Sequence, residues 1–420
     1  MQLKRVVITG LGALTPIGNT VGEFWRGLTE GRSGAGPVTR FDPTHYRTRF
    51  ACELKGFDPL AHFDRKEVRH LDPFCHYALV TAEECIRDSG LDLAATNLNR
   101  VGVIWASGIG GLQTFEEELL NFARTEPVPR FNPYFIPKMI VNESAGHISM
   151  RYGFRGINFS TVSACAASTN AIADAFNYIR LGKANAIVTG GSEAAITRAG
   201  MGGFTAMKAM SERNDDPATA CRPFDKDRDG FVLGEGAGAL LLEELDHARR
   251  RGAKIYGEVV GCGFAGDAYH ITATHPEGEG AYLAMRDALD DARLQPQDVD
   301  YLNAHATSTP VGDVSEIRAI DRVFGDHARK LHISATKSMT GHLLGAAGAI
   351  EAIASVLALN HNLIPPTINL TNPDPAIPSY FNLTPGRAVE KNLRVVMSNT
   401  FGFGGHNAIA VFRKWGEEGE

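Results

Sequence analysis

No two of the six cysteines stand in CxxC spacing. Cys52, Cys75, Cys85, Cys165, Cys221 and Cys262 are scattered through 420 residues, which excludes a disulfide framework and leaves reduced thiols. HExxH and paired Cys/His spacings are also lacking, so no catalytic metal is expected. Basic excess is missing: 42 Lys and Arg against 48 Asp and Glu give a net charge of -6. That excludes the footprint of a non-specific nucleic-acid binder, while a local basic patch for an acidic partner stays open. No apolar run reaches transmembrane length; the longest, 343–359, is interrupted by Glu351 and rich in small residues. The first ten residues pass directly into a strand pattern, without the apolar core and cleavage site of a secretory signal. A soluble, cytoplasmic protein with no membrane or nucleic-acid partner is expected.

What is present is an alternation of apolar strand patterns and helical patterns, which points to α/β architecture. Strands are predicted over 5–9, 101–106, 186–189, 237–242, 254–261, 301–304, 394–398 and 408–412. Helices are predicted over 82–89, 168–181, 280–292, 313–324 and 345–360. Several strands are continuously apolar, as in sheets covered on both faces. Residues 158–165 lead into a helix of small residues beginning near Asn170, and residues 331–337 lead into a similar helix at Ala349. The simplest account is a duplicated half, with the seam near 245–254. Two glycine pairs imitate a dinucleotide fingerprint. Gly10 and Gly12 lack the third glycine, and Gly261, Gly263 and Gly266 are not followed by a helical pattern, so nicotinamide binding is set aside.

Three polar residues sit where strands end and helices begin. Cys165, in Val162-Ser-Ala-Cys165-Ala-Ala-Ser-Thr-Asn170, is at a helix N-terminus, where the dipole and free N–H groups favour thiolate; the alternative is a small buried hydrophobe. His305 ends an apolar strand and precedes the hydroxyl-rich run Thr307-Ser-Thr309. His342 follows Lys337-Ser-Met-Thr-Gly. Strand ends are where α/β proteins bind ligands, although either histidine could be a hydrogen-bonded core residue. Near the C-terminus, glycines flank Phe401 and Phe403 in Thr400-Phe-Gly-Phe-Gly-Gly405, a composition that lets backbone N–H groups approach a ligand.

The chain resembles the 3-oxoacyl-[acyl-carrier-protein] synthases over its whole length, nearest to type II. The resemblance runs from Val7-Ile-Thr-Gly-Leu-Gly to Phe401-Gly-Phe-Gly-Gly-His-Asn407, through Gly190-Gly-Ser-Glu-Ala194, Arg222-Pro-Phe-Asp-Lys-Asp-Arg-Asp-Gly230 and the His305 and His342 segments. It implies the five-layered thiolase fold, αβαβα, in two similar halves, residues 1–250 and 251–420, and a homodimer. It also implies a Cys–His–His triad of Cys165, His305 and His342. Lys337 would pair with Glu351, and the N–H groups of Cys165 and Phe403 would form the oxyanion hole. Thr307 and Thr309 match positions lining a malonyl-carboxylate site. Ile109, Phe135 and Phe204 match an acyl pocket near the dimer interface, and Phe401 a substrate-binding position. Arg65, Lys66, Arg69, Arg130 and Lys208 match docking positions for an acidic acyl carrier protein. Ala306 replaces the family's usual glycine, and Ala166-Ala-Ser168 its commoner Thr-Ser-Gly; both leave substrate preference open.

The implied reaction is a decarboxylating Claisen condensation of malonyl-carrier with an acyl chain on Cys165, needing neither redox cofactor nor catalytic metal. A structural monovalent cation near Asn303, Glu351 and Asn399 is implied by resemblance alone. Competing readings are a ketosynthase of polyketide or specialised chains and a non-catalytic chain-length partner, which would lack the cysteine. A degradative thiolase would use one histidine and a second, late cysteine, and the last cysteine here is Cys262.

Overall fold

The computed structural model describes residues 3–125, 128 and 130–416. Ten strands join in one mixed sheet. They are β1 (Val6–Leu14), β2 (Val101–Ala106), β3 (Asn158–Thr161), β4 (Ala186–Glu193), β5 (Gly236–Glu244), β6 (Gly257–Gly266), β7 (Tyr301–Asn303), β8 (His332–Ser334), β9 (Val395–Gly402) and β10 (His406–Arg413). Their spatial order is β8-β7-β9-β10-β6-β1-β5-β4-β2-β3. Outward from the short β1–β6 contact, both halves repeat one pattern: two antiparallel pairings, then two parallel ones.

Six helices cover and fill this sheet: α1 (Pro73–Ser89), α2 (Glu143–Tyr152), α3 (Ala167–Arg180), α4 (Glu279–Ala292), α5 (Gly312–Phe324) and α6 (Ala347–His361). Side chains alternate across each strand, so one strand feeds two cores. On β2, Val101, Val103 and Trp105 pack with α1 and α2, while Ile104 and Ala106 pack with α3 and α6. On β9, Val395 and Met397 face α4 and α5, and Val396 faces the central pair. The result is helix, half-sheet, helix, half-sheet, helix, the two half-sheets joined at the short β1–β6 contact. The expected five layers are present, and α3 and α6 form the middle one.

The middle helices need small residues. A Cβ on Gly348 would lie 2.1 Å from Thr169 Oγ1, and Ser168 Oγ accepts a hydrogen bond from the Ala349 N–H at 2.9 Å. Residues 347–359 of α6 are buried on every side, which explains why apolar and small residues run all round the helix, with Glu351 the one charge among them. Among the described residues, 344–361 is the one helical stretch long and apolar enough to cross a membrane, and 89% of it is buried inside the fold.

The glycine pairs serve close packing. A Cβ on Gly12 would meet Thr81 O at 2.0 Å, and one on Gly263 would meet Ala284 O at 2.1 Å. Each pair lies mid-strand with a helix backbone pressed on it, α1 in one half and α4 in the other. For that reason β1 continues to Leu14 rather than ending at residue 9. Helix α1 also begins earlier than residue 82, at Pro73, with Asp72 accepting from the Phe74 N–H at 3.2 Å.

The two outer edges differ. On β8, the Ile333 N–H donates to Asn382 O at 2.9 Å, so a neighbouring segment covers that edge. Beyond β3 no strand pairs among the described residues.

Candidate active site

Cys165 follows β3 on a tight turn. Ala164, the residue before it, has φ of 50°, a left-handed conformation that costs a non-glycine residue energy. The turn is held by Ala166 N–H to Ser163 O at 3.1 Å and Ala167 N–H to Ala164 O at 3.2 Å, and α3 starts there. Gly402, at the end of β9, lies against it: a Cβ there would be 2.7 Å from Ser163 O and 3.1 Å from the Cys165 nitrogen. Phe403 follows directly. The backbone N–H groups of Phe403 and of Cys165 itself act on the sulfur to lower the thiol's pKa. Burial pushes the Cys165 thiol up to about 12, against the pull of the Lys337 charge and of those two N–H groups. Position at a helix start therefore does not make a resting thiolate here; desolvation wins.

His305 follows β7, and His342 follows β8 and the one-turn helix Lys337–Thr340. Their rings stand edge to face with centroids 5.4 Å apart. Lys337 is buried, pairs with Glu351 and lies 3.3 Å from His305 Nδ1. Burial holds both imidazoles well below the usual histidine range, and the Lys337 charge pushes the same way. Both effects favour the neutral ring. Neither ring nitrogen of His342 has a hydrogen-bond partner among the described residues, a costly state for buried polar atoms. Burial raises Glu351 to about 7 against the attraction of Lys337.

These groups share one cavity of about 500 Å³. Its lining includes Cys165, His305, His342, Thr307, Thr309, Phe401 and Phe403. The Thr307 and Thr309 hydroxyls are 3.1 Å apart, and the Phe401 ring lies 5.4 Å from that of His305. Lys337 and Glu351 stand behind the lining. Of the three acyl-pocket positions, Phe204 lines the cavity, but Ile109 and Phe135 do not. Ile109 is partly exposed beside it, and Phe135 stacks between Phe115 and Phe131 on an apolar outer surface. Of the five basic positions, only Lys208 lines the cavity. Arg65, Lys66 and Arg69 are exposed on the short helix Arg65–His70, and Arg130 is exposed elsewhere.

The N-terminal domain of beta-ketoacyl synthases matches residues 3–248, and the C-terminal domain matches residues 256–371. The chain belongs to the beta-ketoacyl synthase family. A Synechocystis protein named 3-oxoacyl-[acyl-carrier-protein] synthase 2 is 50% identical over 415 residues, 99% of both chains. A Staphylococcus aureus protein of the same name is 49% identical over 414 residues, again 99% of each. Among solved structures, a Burkholderia phymatum beta-ketoacyl synthase aligns with a TM-score of 0.90 at 36% identity, over 98% of this chain and 99% of that one. A type II PKS ketosynthase, solved in complex with its acyl-carrier protein, aligns with a TM-score of 0.91 at 31% identity, over 98% of this chain and 100% of that one.

In this beta-ketoacyl synthase, the residues named for a structural cation offer hard oxygen donors. Glu351 Oε2 and Asn399 Oδ1 are buried without hydrogen-bond partners among the described residues, while Asn303 Nδ2 donates to Glu351 O at 3.4 Å. Oxygen donors of this kind fit a monovalent cation.

Two carboxylates escaped the sequence reading. Glu316 accepts from the N–H groups of His305 at 2.9 Å and Ala306 at 2.8 Å, and from Asn399 Nδ2 at 3.0 Å. It fixes the backbone that carries the histidine. A signal existed: Asp313, Glu316, Ile317 and Ile320 share the buried face of α5, so an acid occupies a core position. Glu193, at the end of β4, is the other.

Proposed function

We propose that the chain catalyses decarboxylating condensation of malonyl-carrier protein with an acyl chain held on Cys165, lengthening it by two carbons in fatty-acid synthesis. The observation that carries this reading is one cavity lined by a buried thiol, two buried imidazoles and a pair of threonine hydroxyls.

In the first half-reaction, the Cys165 sulfur attacks an acyl-carrier thioester and its proton passes to the departing carrier thiol. The Cys165 and Phe403 N–H groups face the point where the tetrahedral oxyanion forms. In the second, His305 and His342 donate to the thioester carbonyl of malonyl-carrier, and Thr307 and Thr309 receive its carboxylate. Carbon dioxide leaves, and the donors stabilise the enolate. Its carbon attacks the acyl-Cys165 carbonyl, the carbon–sulfur bond breaks, and the released thiolate regains a proton. Neutral imidazoles suit this role, because a neutral donor does not quench the carbanion by handing over its proton. Lys337, with Glu351, is the positioning pair behind His305.

The reading extends to assembly. A homodimer is supported by the open β3 edge and by exposed Phe115, Leu119, Leu120, Phe131 and Ile136. Ile109 and Phe135 then belong to an acyl pocket completed at that interface. Residues 1–250 and 251–420 are the two halves, each supplying five strands in the same order. Lys208 at the cavity mouth, with Arg65, Lys66, Arg69 and Arg130, is the docking set for an acidic carrier. Cysteines without disulfide spacing and a carrier-fed substrate support a cytoplasmic enzyme. An elongation assay with carrier thioesters of graded length tests the reading; failure to extend any of them overturns it.

A further inference from the structure

Glu193 is fully buried, forms no ion pair among the described residues, and has no part in the reaction described above. Its carboxylate accepts four hydrogen bonds. Oε1 takes Ser107 Oγ at 3.0 Å and the Ile109 N–H at 3.1 Å. Oε2 takes the N–H groups of Gly108 at 2.7 Å and Gly345 at 2.9 Å. Ser107 Oγ meanwhile accepts from the Gly110 N–H at 3.0 Å, so its own proton points to Glu193. The three N–H groups can only donate, and the Gly110 contact turns the Ser107 hydroxyl to donate as well, so the four contacts favour the ionised form against the burial that raises its pKa. The geometry is that of a carboxylate.

These four donors come from two separate turns. One follows β2 and carries Ile109; the other follows His342 and carries Leu344, which lines the cavity beside Cys165. The turns touch: a Cβ on Gly345 would lie 2.1 Å from the Gly108 nitrogen. A Cβ on Gly108 would also be 3.5 Å from Ala164 O in the nucleophile turn. Glycine at both positions lets the two backbones close on the carboxylate.

We infer that Glu193 is a positioning residue that sets the wall behind Cys165, fixing Ile109 and Leu344 relative to the thiol and thereby which acyl chain lengths fit. This rests on the condensing reading above. An amide in its place keeps the shape, but turns an NH2 group toward N–H donors and forces one turn away.

The test uses the purified full-length chain and its Glu193→Gln and Ser107→Ala variants, with folding checked by near-ultraviolet circular dichroism and melting. Two ratios are read. One is kcat/KM for long-chain against short-chain acyl-carrier thioesters; the other is the Cys165 alkylation rate by a long-chain alkyl iodoacetamide against iodoacetamide. Glu193→Gln is expected to change both ratios by about tenfold or more, and Ser107→Ala to move them the same way by less. A merely structural role lowers melting and scales both members of each ratio equally. Ratios unchanged from the native protein in a folded variant overturn the inference, and Ser107→Ala alone decides if Glu193→Gln does not fold. If the native chain extends no carrier substrate yet the alkylation ratio still shifts, the condensing reading falls and the positioning role stands.

Discussion

The Lys337 ammonium lies 3.3 Å from Nδ1 of His305, and an ammonium can only donate. His305 therefore accepts at Nδ1 and carries its proton on Nε2, the nitrogen left to meet substrate. Replacing Lys337 by Met is expected to release this tautomer, seen as mixed Nδ1-H and Nε2-H signals in nitrogen NMR. The same variant raises the His305 pKa, because the charge that helps depress it is gone. Malonyl decarboxylation should fall by about 10²-fold or more, the scale of losing an aligned donor. A single unchanged tautomer would show that something else orients the ring.

His305→Ala and His342→Ala are each expected to cut malonyl decarboxylation by about 10²- to 10³-fold, as removed oxyanion donors do. Acyl transfer to Cys165, followed by intact mass, should persist in both. Loss of acylation with normal decarboxylation would reverse the assigned roles.

Burial places the Cys165 thiol near 12, so its reaction with iodoacetamide is expected to rise about tenfold for each pH unit from neutral upward without levelling. A plateau near pH 8 would reveal a resting thiolate instead. Since Lys337 lowers this pKa, removing its charge should slow labelling further at any fixed pH in that range.

Gly402→Ala asks how tightly the oxyanion N–H groups are set. The new methyl would stand 2.7 Å from Ser163 O, so the nucleophile turn or the Phe403 loop must shift. The expected result is a kcat loss of about 10²-fold, with melting little changed. Native turnover in a folded variant would mean the turn has slack.

Arg65→Glu combined with Lys208→Glu should raise KM for carrier-bound substrate, and more so at low salt, while a carrier-free thioester analogue is turned over as before. Equal losses on both substrates would move these residues from docking to support of the fold.

How much of this was legible depended on whether the signal was local. Strand β2 begins and ends where its apolar run does, and α3 differs from its pattern by one residue at each end. Cys165, His305 and His342 could be picked out because each stands in a loop that follows a strand, His342 only after the one-turn helix Lys337–Thr340, and the structure brings all three to one cavity. Gly10 and Gly12 misled, because a glycine under a helix backbone and a glycine in a turn look alike in sequence. Glu193 stayed silent for a related reason: its partners lie 84 to 152 positions away, mostly as backbone N–H groups, which leave no side-chain pattern. Ile109 and Phe135 matched pocket positions that one chain alone does not bring into the cavity.

The unequal edges of the sheet set a limit on growth. Strand addition needs a free row of N–H and C=O groups, and the segment around Asn382 has removed that row from β8. A copy added at β3 about a two-fold axis uses the same edge on both molecules and leaves none to continue. The sheet has two ends of the same build; with one of them covered, strand pairing at the other could not propagate into a chain of copies.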